Sequence, residues 1–419
     1  MEYEIFKQPR YNSYLLSNKT PVNFEIKVFK NMKLKKRFTD LENEYSQRMI
    51  EEKSDYDFFK KKFTKEEFIS YERINFMDMT KIFQKMKYIE KKYNIGPGFT
   101  NAWRKMYEIC EKTDIISKRD ETVKHFDICG SPGAFVLGMN HFMKTKRRNQ
   151  NYDWYIQSYT GEGGLKDSYG LYRKYPSRFL EGPQKGDISS PKSVRYYRDF
   201  FKNNKRNLVT SDCGQSSVDV WENIGKNTRE KQMLKIFYGQ FICSLSVLSK
   251  GGNLFMKSYT SFSKFSVSLV YLMCCFFKKV RLVKPISSRY PEKNEIYYLC
   301  NGMVEELSDT DFDDLINILE NWNGDMFEKN IGRYTSMDKK LVSNIQDKMS
   351  DFYEERLNDY YEKEETIREI VGDKEENPKI YLSNLKKLQD LTSRETIKFA
   401  NHYVKKMGYK KIKTSDRLI

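Results

Sequence analysis

The amino-acid sequence predicts an α/β protein, a mostly parallel, doubly wound sheet with helical appendages at both ends. Three observations lead there. His125–Phe135 reads as a short strand, a tight Gly/Pro turn and the start of a helix, the pattern that sets a ligand site at the carboxyl end of a parallel sheet. Strand-like and helix-like segments alternate from residue 124 to residue 300. On either side of that stretch the chain becomes highly charged and mostly helical in pattern. The expected division is an accessory, mostly helical region over 1–95, an α/β domain over 96–302 and a helical region over 303–419.

The 419 residues are 39% hydrophobic and 15% aromatic, enough for a substantial core. A count of 75 Lys and Arg against 58 Asp and Glu gives a formal net charge of +17, which reads either as attraction to a polyanionic partner or as a solubilising lysine bias. The cysteines are odd in number and mostly in apolar runs; they read as buried thiols in a reducing compartment, not as a disulfide frame. No CxxC pair occurs, and His125, His141 and His402 are scattered, so no metal site is expected. The N-terminus lacks the basic start and apolar segment of a secretory signal. The most apolar run, Phe265–Phe277, is too short to span a bilayer and reads as a buried helix, so no membrane association is expected.

In chain order, Val22–Val28 alternates as one strand. Thr64–Glu67 resembles a capping box before Phe68, Ile69 and Tyr71, and Met77, Ile82, Met86 and Ile89 follow on later turns. Gly96-Pro97-Gly98 is a break, after which Asn101 caps a helix carrying Trp103, Met106, Tyr107 and Ile109. Lys105, in that apolar neighbourhood, reads on its own as a snorkelling lysine. Asp153–Gln157 is the second strand. Tyr159–Lys192 is a long insertion rich in glycine, aromatic and charged residues, with the character of a binding loop or lid. Within it, Gly186-Asp187-Ile188 is either a solvated turn or an acidic side chain set beside a ligand. Ser193–Phe200 reads as a helix, and Asn207–Asp212 as a strand ending in a carboxylate. Lys231–Ser249 is a helix stopped by Gly251-Gly252, and Asn253–Lys257 a strand ending in a lysine. Phe265–Phe277 is the next helix and Lys279–Val283 the next strand. Glu295–Cys300 is a strand that begins with a carboxylate. Glu305–Asp314 opens the charged helical region, and the basic tail Tyr409–Lys413 either touches phosphate or simply solubilises the chain.

Asp212, Lys257 and Glu295 thus fall at strand ends, which converge in a parallel sheet. With Lys105 on a helix covering the same rim, two lysines lie between two carboxylates. That network suits charge positioning and proton transfer, and desolvation can lower a lysine pKa there. Neither a GxSxG elbow nor a GxxxxGK[ST] loop occurs, which argues against acyl transfer and P-loop phosphate binding.

In order and spacing, Asn101-Ala102-Trp103-Arg104-Lys105, Phe126–Phe135, Ser211-Asp212-Cys213-Gly214, Leu254–Lys257, Lys284–Arg289 and Glu295-Ile296-Tyr297 resemble the FtsJ/RrmJ-like family of S-adenosylmethionine-dependent RNA ribose 2′-O-methyltransferases. The resemblance covers about residues 100–302 and implies a Rossmann-like class I methyltransferase sheet there. It implies a catalytic tetrad of Lys105, Asp212, Lys257 and Glu295, in which Lys257 meets the ribose 2′-hydroxyl and orients it or accepts its proton. It also implies that S-adenosyl-L-methionine lies over Gly130, Ser131, Pro132, Gly133, Ala134 and Phe135, with Asp127 organising that loop and Asp187 near the ribose or adenine side. The long glycine-rich section resembles the cap-methylating branch, which includes large DNA-virus relatives. That branch implies methylation of the first transcribed nucleotide of capped RNA, in the cytoplasm, a viral factory or a virion.

Tyr169, Tyr172, Tyr196 and Tyr197 are candidate base stackers, with packing as the simpler role, and Arg289 is a candidate phosphate contact. The alternatives are 2′-O-methylation of ribosomal or transfer RNA, and an inactive RNA-binding or structural subunit that keeps the fold. The terminal helical regions permit a homodimer or an RNA-processing partner. Two positions depart from the family pattern. Pro132-Gly133-Ala134 stands where Pro-Gly-Gly is common, placing a methyl group where backbone approach is close. Asp212-Cys213-Gly214 stands where bacterial relatives often continue toward Ala-Pro.

Overall fold

The computed structural model describes residues 11–18, 25–62, 87–96, 98–162, 164, 166–214, 228–288, 295–332, 336–373 and 375–419. Val22–Phe24, the capping box at Thr64–Glu67, the apolar residues from Phe68 to Met86, and Arg289 lie outside the described residues.

One eight-stranded sheet organises the molecule. Its strands are β1 (Asn12–Ser17), β3 (Thr122–Ile128), β4 (Asn151–Gln157), β5 (Phe179–Leu180), β6 (Arg206–Ser211), β7 (Leu248–Ser258), β8 (Phe277–Lys284) and β9 (Ile296–Met303), in the spatial order β1-β8-β9-β7-β6-β3-β4-β5. A separate two-stranded ladder pairs β2 (Val28–Phe29) with β10 (Asn330–Ile331). Neighbours from β7 through β5 are parallel. β9 runs antiparallel to both β7 and β8, and β1 antiparallel to β8. Gly251-Gly252 lies inside β7, and the preceding helix ends earlier, at Val247.

The helices are α1 (Lys36–Lys62), α2 (Lys87–Tyr93), α3 (Asn101–Lys112), α4 (Ala134–Lys146), α5 (Pro191–Phe201), α6 (Thr228–Val247), α7 (Lys264–Phe276), α8 (Asp309–Glu320), α9 (Lys339–Val371) and α10 (Pro378–Met407). They cover both faces of the sheet, which makes a Rossmann-like α/β fold. One core holds Phe126, Val209, Leu254 and Met256 with α5, α6, α7 and α9. The other holds Val123, Leu208, Phe255 and Tyr297 with α3 and α4. Alternation along the strands explains the division, because successive side chains leave opposite faces. The parity that sends Phe255 and Tyr297 to the α3 face also sends Lys257 and Glu295 there. The same parity places Asp127 with Val123, and Asp212 with Leu208. No described helix is long and apolar enough to cross a membrane; α7, the most apolar stretch of the sequence, is a core helix.

Candidate active site

The chain switches direction across the sheet at β3. It proceeds outward to β4 and β5, then returns to β6 on the other side of β3. Ligand sites form at such a switch because the two connections leave the strand ends on opposite faces and open a space between them. The turn after β3 occupies that position. Gly130 N–H donates to Gln157 O at 3.0 Å, Cys129 N–H to Gln157 Oε1 at 3.1 Å, and Ser131 N–H to Ser158 Oγ at 2.7 Å. Ser131 precedes Pro132 through a cis peptide bond. Gly133, at φ +105°, starts α4; a Cβ there would stand 2.4 Å from Leu171 Cδ2, so the position needs glycine. Ala134 and Phe135 open the helix as buried core residues. The extra methyl of Ala134 is therefore accommodated by packing.

Asp127 lies beneath this turn. A Cβ on Gly130 would meet its Oδ2 at 2.3 Å. Its Oδ1 accepts from Thr210 Oγ1 at 2.6 Å, while the buried Oδ2 has no hydrogen-bond partner among the described residues. Burial first, and then the nearby Asp212 charge, hold this carboxyl well above the usual range. Thr210 also meets His125 Nε2 at 2.6 Å, and His125 Nδ1 meets Tyr152 Oη at 2.8 Å. Because the Thr210 proton goes to Asp127, His125 donates from Nε2 and accepts at Nδ1. An orphaned acidic oxygen beneath a glycine turn, with free backbone N–H groups at the start of α4, suits a ligand carrying both cationic and carboxylate groups. S-adenosylmethionine has both. Asp127 and the backbone N–H groups of Ala134 and Phe135, in the first turn of α4, are the groups that fit it.

Asp187 reaches the same neighbourhood through Gln157, whose Nε2 donates to Gly186 O at 2.5 Å. Its own Oδ1 accepts from Ser189 N–H at 2.9 Å and Ser189 Oγ at 2.8 Å, so this oxygen shapes the turn into α5. Gln157 was not singled out in the sequence. It is the last residue of β4, and its side chain joins the two turns.

The four charged residues expected to converge do so. Lys105 Nζ lies 3.0 Å from Glu295 Oε1 and 3.7 Å from Asp212 Oδ2. Lys257 Nζ lies 3.2 Å from Asp212 Oδ1 and 3.9 Å from Glu295 Oε2. The antiparallel direction of β9 makes this possible, since it brings the start of β9 beside the end of β7, pairing Lys257 with Tyr297. Lys105 is 5% exposed, too enclosed for a snorkelling lysine, and sits on α3, whose cap is Thr100 and not Asn101. Tyr297 completes the set: its hydroxyl accepts from Lys105 Nζ at 2.6 Å and donates to Asp212 Oδ1 at 2.8 Å. Its place two residues after Glu295, on the same face, is the signal in the sequence that marks it.

Burial opposes the charge on Lys257, but Asp212, Tyr259 and Glu295 outweigh it and hold the ammonium above the ordinary lysine range. The expected lowering is thereby reversed, because two carboxylates supply more than desolvation removes. Burial also works to raise Glu295, but Lys105, Lys257 and Lys284 pull it down to about 2.

Two further expectations change. Cys129 and Cys213 form a disulfide with Cα atoms 5.0 Å apart, because the tips of the adjacent β3 and β6 carry them side by side. Cys110, Cys243, Cys274, Cys275 and Cys300 are free thiols. Tyr197 is a core residue whose hydroxyl donates to Glu181 O, so it is not available for base stacking, whereas Tyr172 and Tyr196 are exposed.

Residues 99–303 match the model of the FtsJ-like methyltransferases. The match covers a little less than half of the chain. A probable methyltransferase of African swine fever virus (isolate Pig/Kenya/KEN-50/1950) is 30% identical over 267 residues, covering 60% of this chain and 60% of its own length. An uncharacterised protein of Acanthamoeba polyphaga mimivirus is 31% identical over 288 residues, covering 65% of this chain and 35% of its own. A Danio rerio protein named cap-specific mRNA (nucleoside-2′-O-)-methyltransferase 2 is 28% identical over 212 residues, covering 48% and 28%. The chain thus spans less than two thirds of the length of each. The tetrad, the cofactor turn and the disulfide all lie within the FtsJ-like region.

Proposed function

We propose that the chain transfers a methyl group from S-adenosylmethionine to a ribose 2′-hydroxyl of RNA, and that its substrate is the first transcribed nucleotide of capped mRNA. The observation that carries the chemistry is the square of buried Lys105 and Lys257 with half-buried Asp212 and Glu295 beside the Gly130–Phe135 turn. The names of the cap-specific relatives support the choice of capped RNA. When bound, S-adenosylmethionine supplies an electrophilic methyl group on a sulfonium. Asp127 and the backbone N–H groups of Ala134 and Phe135 would hold it.

Lys257, an ammonium at rest, donates to the 2′-oxygen and turns a lone pair toward the transferred methyl. Asp212 fixes Lys257 through its side chain and through its carbonyl, which accepts from Nζ at 3.1 Å. Lys105 neutralises Glu295 and positions Asp212 through Tyr297. As the new carbon–oxygen bond forms and the methyl–sulfur bond breaks, the 2′-hydroxyl proton becomes acidic and would pass to the Asp212 carboxylate, with Lys257 kept as the ammonium beside it. Alignment of oxygen and methyl is the main contribution of the residues.

The test is labelled-methyl transfer to matched cap-0 and uncapped RNAs, with mapping of the modified nucleotide. Label is expected at the first transcribed nucleotide of the capped RNA. Lys257→Ala is expected to lower the rate by at least about a hundredfold. Equal label in uncapped RNA would move the substrate to the ribosomal or transfer RNA class. An unchanged rate in Lys257→Ala would remove its assigned role, and cofactor binding without transfer to either RNA would leave a non-catalytic RNA-binding subunit.

A further inference from the structure

The last turns of α10 and the tail beyond it are built in two layers. From Lys398 to Lys413 the chain carries six lysines and no acidic residue. Ala400, Tyr403, Val404, Met407, Tyr409 and Ile412 are buried, while Lys398, Lys405, Lys406, Lys410, Lys411 and Lys413 are exposed. The buried layer is fixed to the catalytic domain. The Tyr409 ring lies 4.7 Å from that of Tyr107 on α3, and His141 Nε2 on α4 meets Lys410 O at 2.9 Å. Ile412 N–H donates to Tyr93 O at 3.2 Å, and Asn94 Nδ2 donates to Ile412 O at 2.9 Å. The tail is therefore a strap lying across α3 and α4, and its lysines stand on a rigid base. Lys91 and Lys92 of α2 are exposed beside the same contact.

These charges differ from those elsewhere on the surface. Arg37 pairs with Asp351 and Glu354, Lys35 with Asp347, Arg195 with Asp313 and Glu320, and Arg198 with Asp309. Lys91, Lys405, Lys406, Lys410, Lys411 and Lys413 have no carboxylate within ion-pair distance among the described residues. A row of uncompensated ammonium groups attracts a polyanion, and holding the row rigid reduces the ordering that binding requires. Arg417, beyond the row, packs against Gly96 and donates to Asn94 Oδ1, shortly before α3, the helix of Lys105. The strap lies outside the region that matches the family model.

We propose that the lysines of the strap and of α2 bind the phosphate backbone of the RNA strand at a distance from the nucleotide being methylated. The proposal rests on the reading of the chain as an RNA methyltransferase and adds a second contact that retains long substrates. Short capped RNAs bind through the catalytic site alone; longer ones also lie along the strap.

The experiment compares the full chain with the triple variant Lys410→Ala, Lys411→Ala, Lys413→Ala, and separately with Lys91→Ala, Lys92→Ala. Binding of a capped RNA of about 30 nucleotides and of a capped tetranucleotide is followed across salt concentrations. Losing three phosphate contacts on a single strand is expected to reduce the slope of log affinity against log salt by about 2, and long-RNA affinity by about tenfold or more at low salt. Tetranucleotide binding is expected to stay unchanged. In turnover, KM for the long RNA rises while kcat holds. The thermal midpoint confirms folding, since the replaced side chains are exposed, and the α2 variant provides a second reading of the same surface. Unchanged slope and affinity for the long RNA in both variants overturn the proposal. So does loss of binding to phosphatidylserine vesicles with the RNA slope intact, which would assign the surface to an anionic membrane. If parent and variants bind RNA but transfer no methyl group, the salt slope still decides this proposal, and only the catalytic reading fails.

Discussion

Tyr297 joins two of the charged residues by accepting a hydrogen bond from Lys105 and giving one to Asp212. Its ring is stacked on Phe255 at 4.5 Å, so the hydroxyl is held in place by packing. Burial above all, then Asp212 and Glu295, keep the phenol protonated far above the usual tyrosine range. Tyr297→Phe preserves the stack and removes both hydrogen bonds. Losing bonds to charged partners costs on the order of 1.5–3 kcal/mol, so kcat is expected to fall about 10- to 100-fold. Cofactor affinity, measured by titration, should stay within about twofold because Tyr297 lies on the acceptor side. Equal loss of cofactor binding would show that the residue acts on the fold as a whole. The tetrad itself was legible because each charge sits beside a strand end or a glycine break. Tyr297 was quoted only as the third letter of its strand. Gln157 was less legible still, because its work is done by one amide joining two loops far apart in sequence.

Among the elements, the connection between β8 and β9 sets the position of Glu295. Glu108, one turn after Lys105 on α3, accepts from Ile286 N–H at 3.0 Å, Ser287 N–H at 3.2 Å, Ser287 Oγ at 2.8 Å and Tyr403 Oη at 3.1 Å. From the other side, Lys284 Nζ donates to Ser288 O at 3.0 Å and Glu295 O at 2.7 Å. A buried carboxylate and a buried ammonium thus brace the segment between them. Glu108→Gln keeps the shape but replaces one acceptor oxygen with an NH2 group, leaving at least one buried N–H without a partner. The expected cost is about 1–3 kcal/mol of stability, read as a lower thermal midpoint, together with a lower kcat and unchanged cofactor affinity. A variant matching the parent in midpoint and rate would show that the connection is held without Glu108. The strands and helices of the catalytic domain were legible from their periodicity. The reversed direction of β9 was not, since period-two alternation is the same in either direction and pairing over long sequence distances decides it. β1 was missed because Asn12–Ser17 carries no clean alternation; it becomes a strand by pairing with the edge of β8.

At the scale of the whole molecule, burial makes folding depend on pH. Burial first, then Arg206, push His125 down to about 3, and burial pushes His141 to about 4. Both rings are neutral in the folded chain and take up protons when unfolded below about pH 6.5. Each therefore contributes stability that is fully present above that pH and lost as pH falls toward its folded value, at up to about 1.4 kcal/mol per pH unit. Asp127 acts oppositely, since its raised pKa keeps a proton in the fold that the unfolded chain gives up. Glu295, lowered to about 2, contributes stability that is present above its ordinary 4.5 and lost only in stronger acid. Between about pH 5 and pH 6 the two histidines together take up more protons on unfolding than Asp127 releases, so the urea midpoint is expected to fall on acidification there. His141→Gln keeps a donor for Lys410 O, and its stability should vary with pH by about one proton less than the parent. An identical slope would mean that His141 does not titrate on unfolding.

Composition indicated the basic surface but not its shape. The apolar positions among the tail lysines, Tyr409 and Ile412, are too few to reveal a strap until α3 and α4 are present to receive them. Five of the seven cysteines are buried as expected and Cys129 and Cys275 half-buried, and their pairing needed strand order, which composition does not contain.

The bond between Cys129 and Cys213 has a topological consequence. It closes the backbone from 129 to 213 into a covalent ring that encloses the cofactor turn, α4, β4, β5 and α5. Lys105, Lys257 and Glu295 are outside the ring, and Asp212 is the residue just inside its closure. The covalent circuit holds the turn assigned to the methyl donor, with Asp127 just outside it, and the open chain on either side holds both lysines. Of the four charged residues of the tetrad, Asp212 alone is carried by the ring.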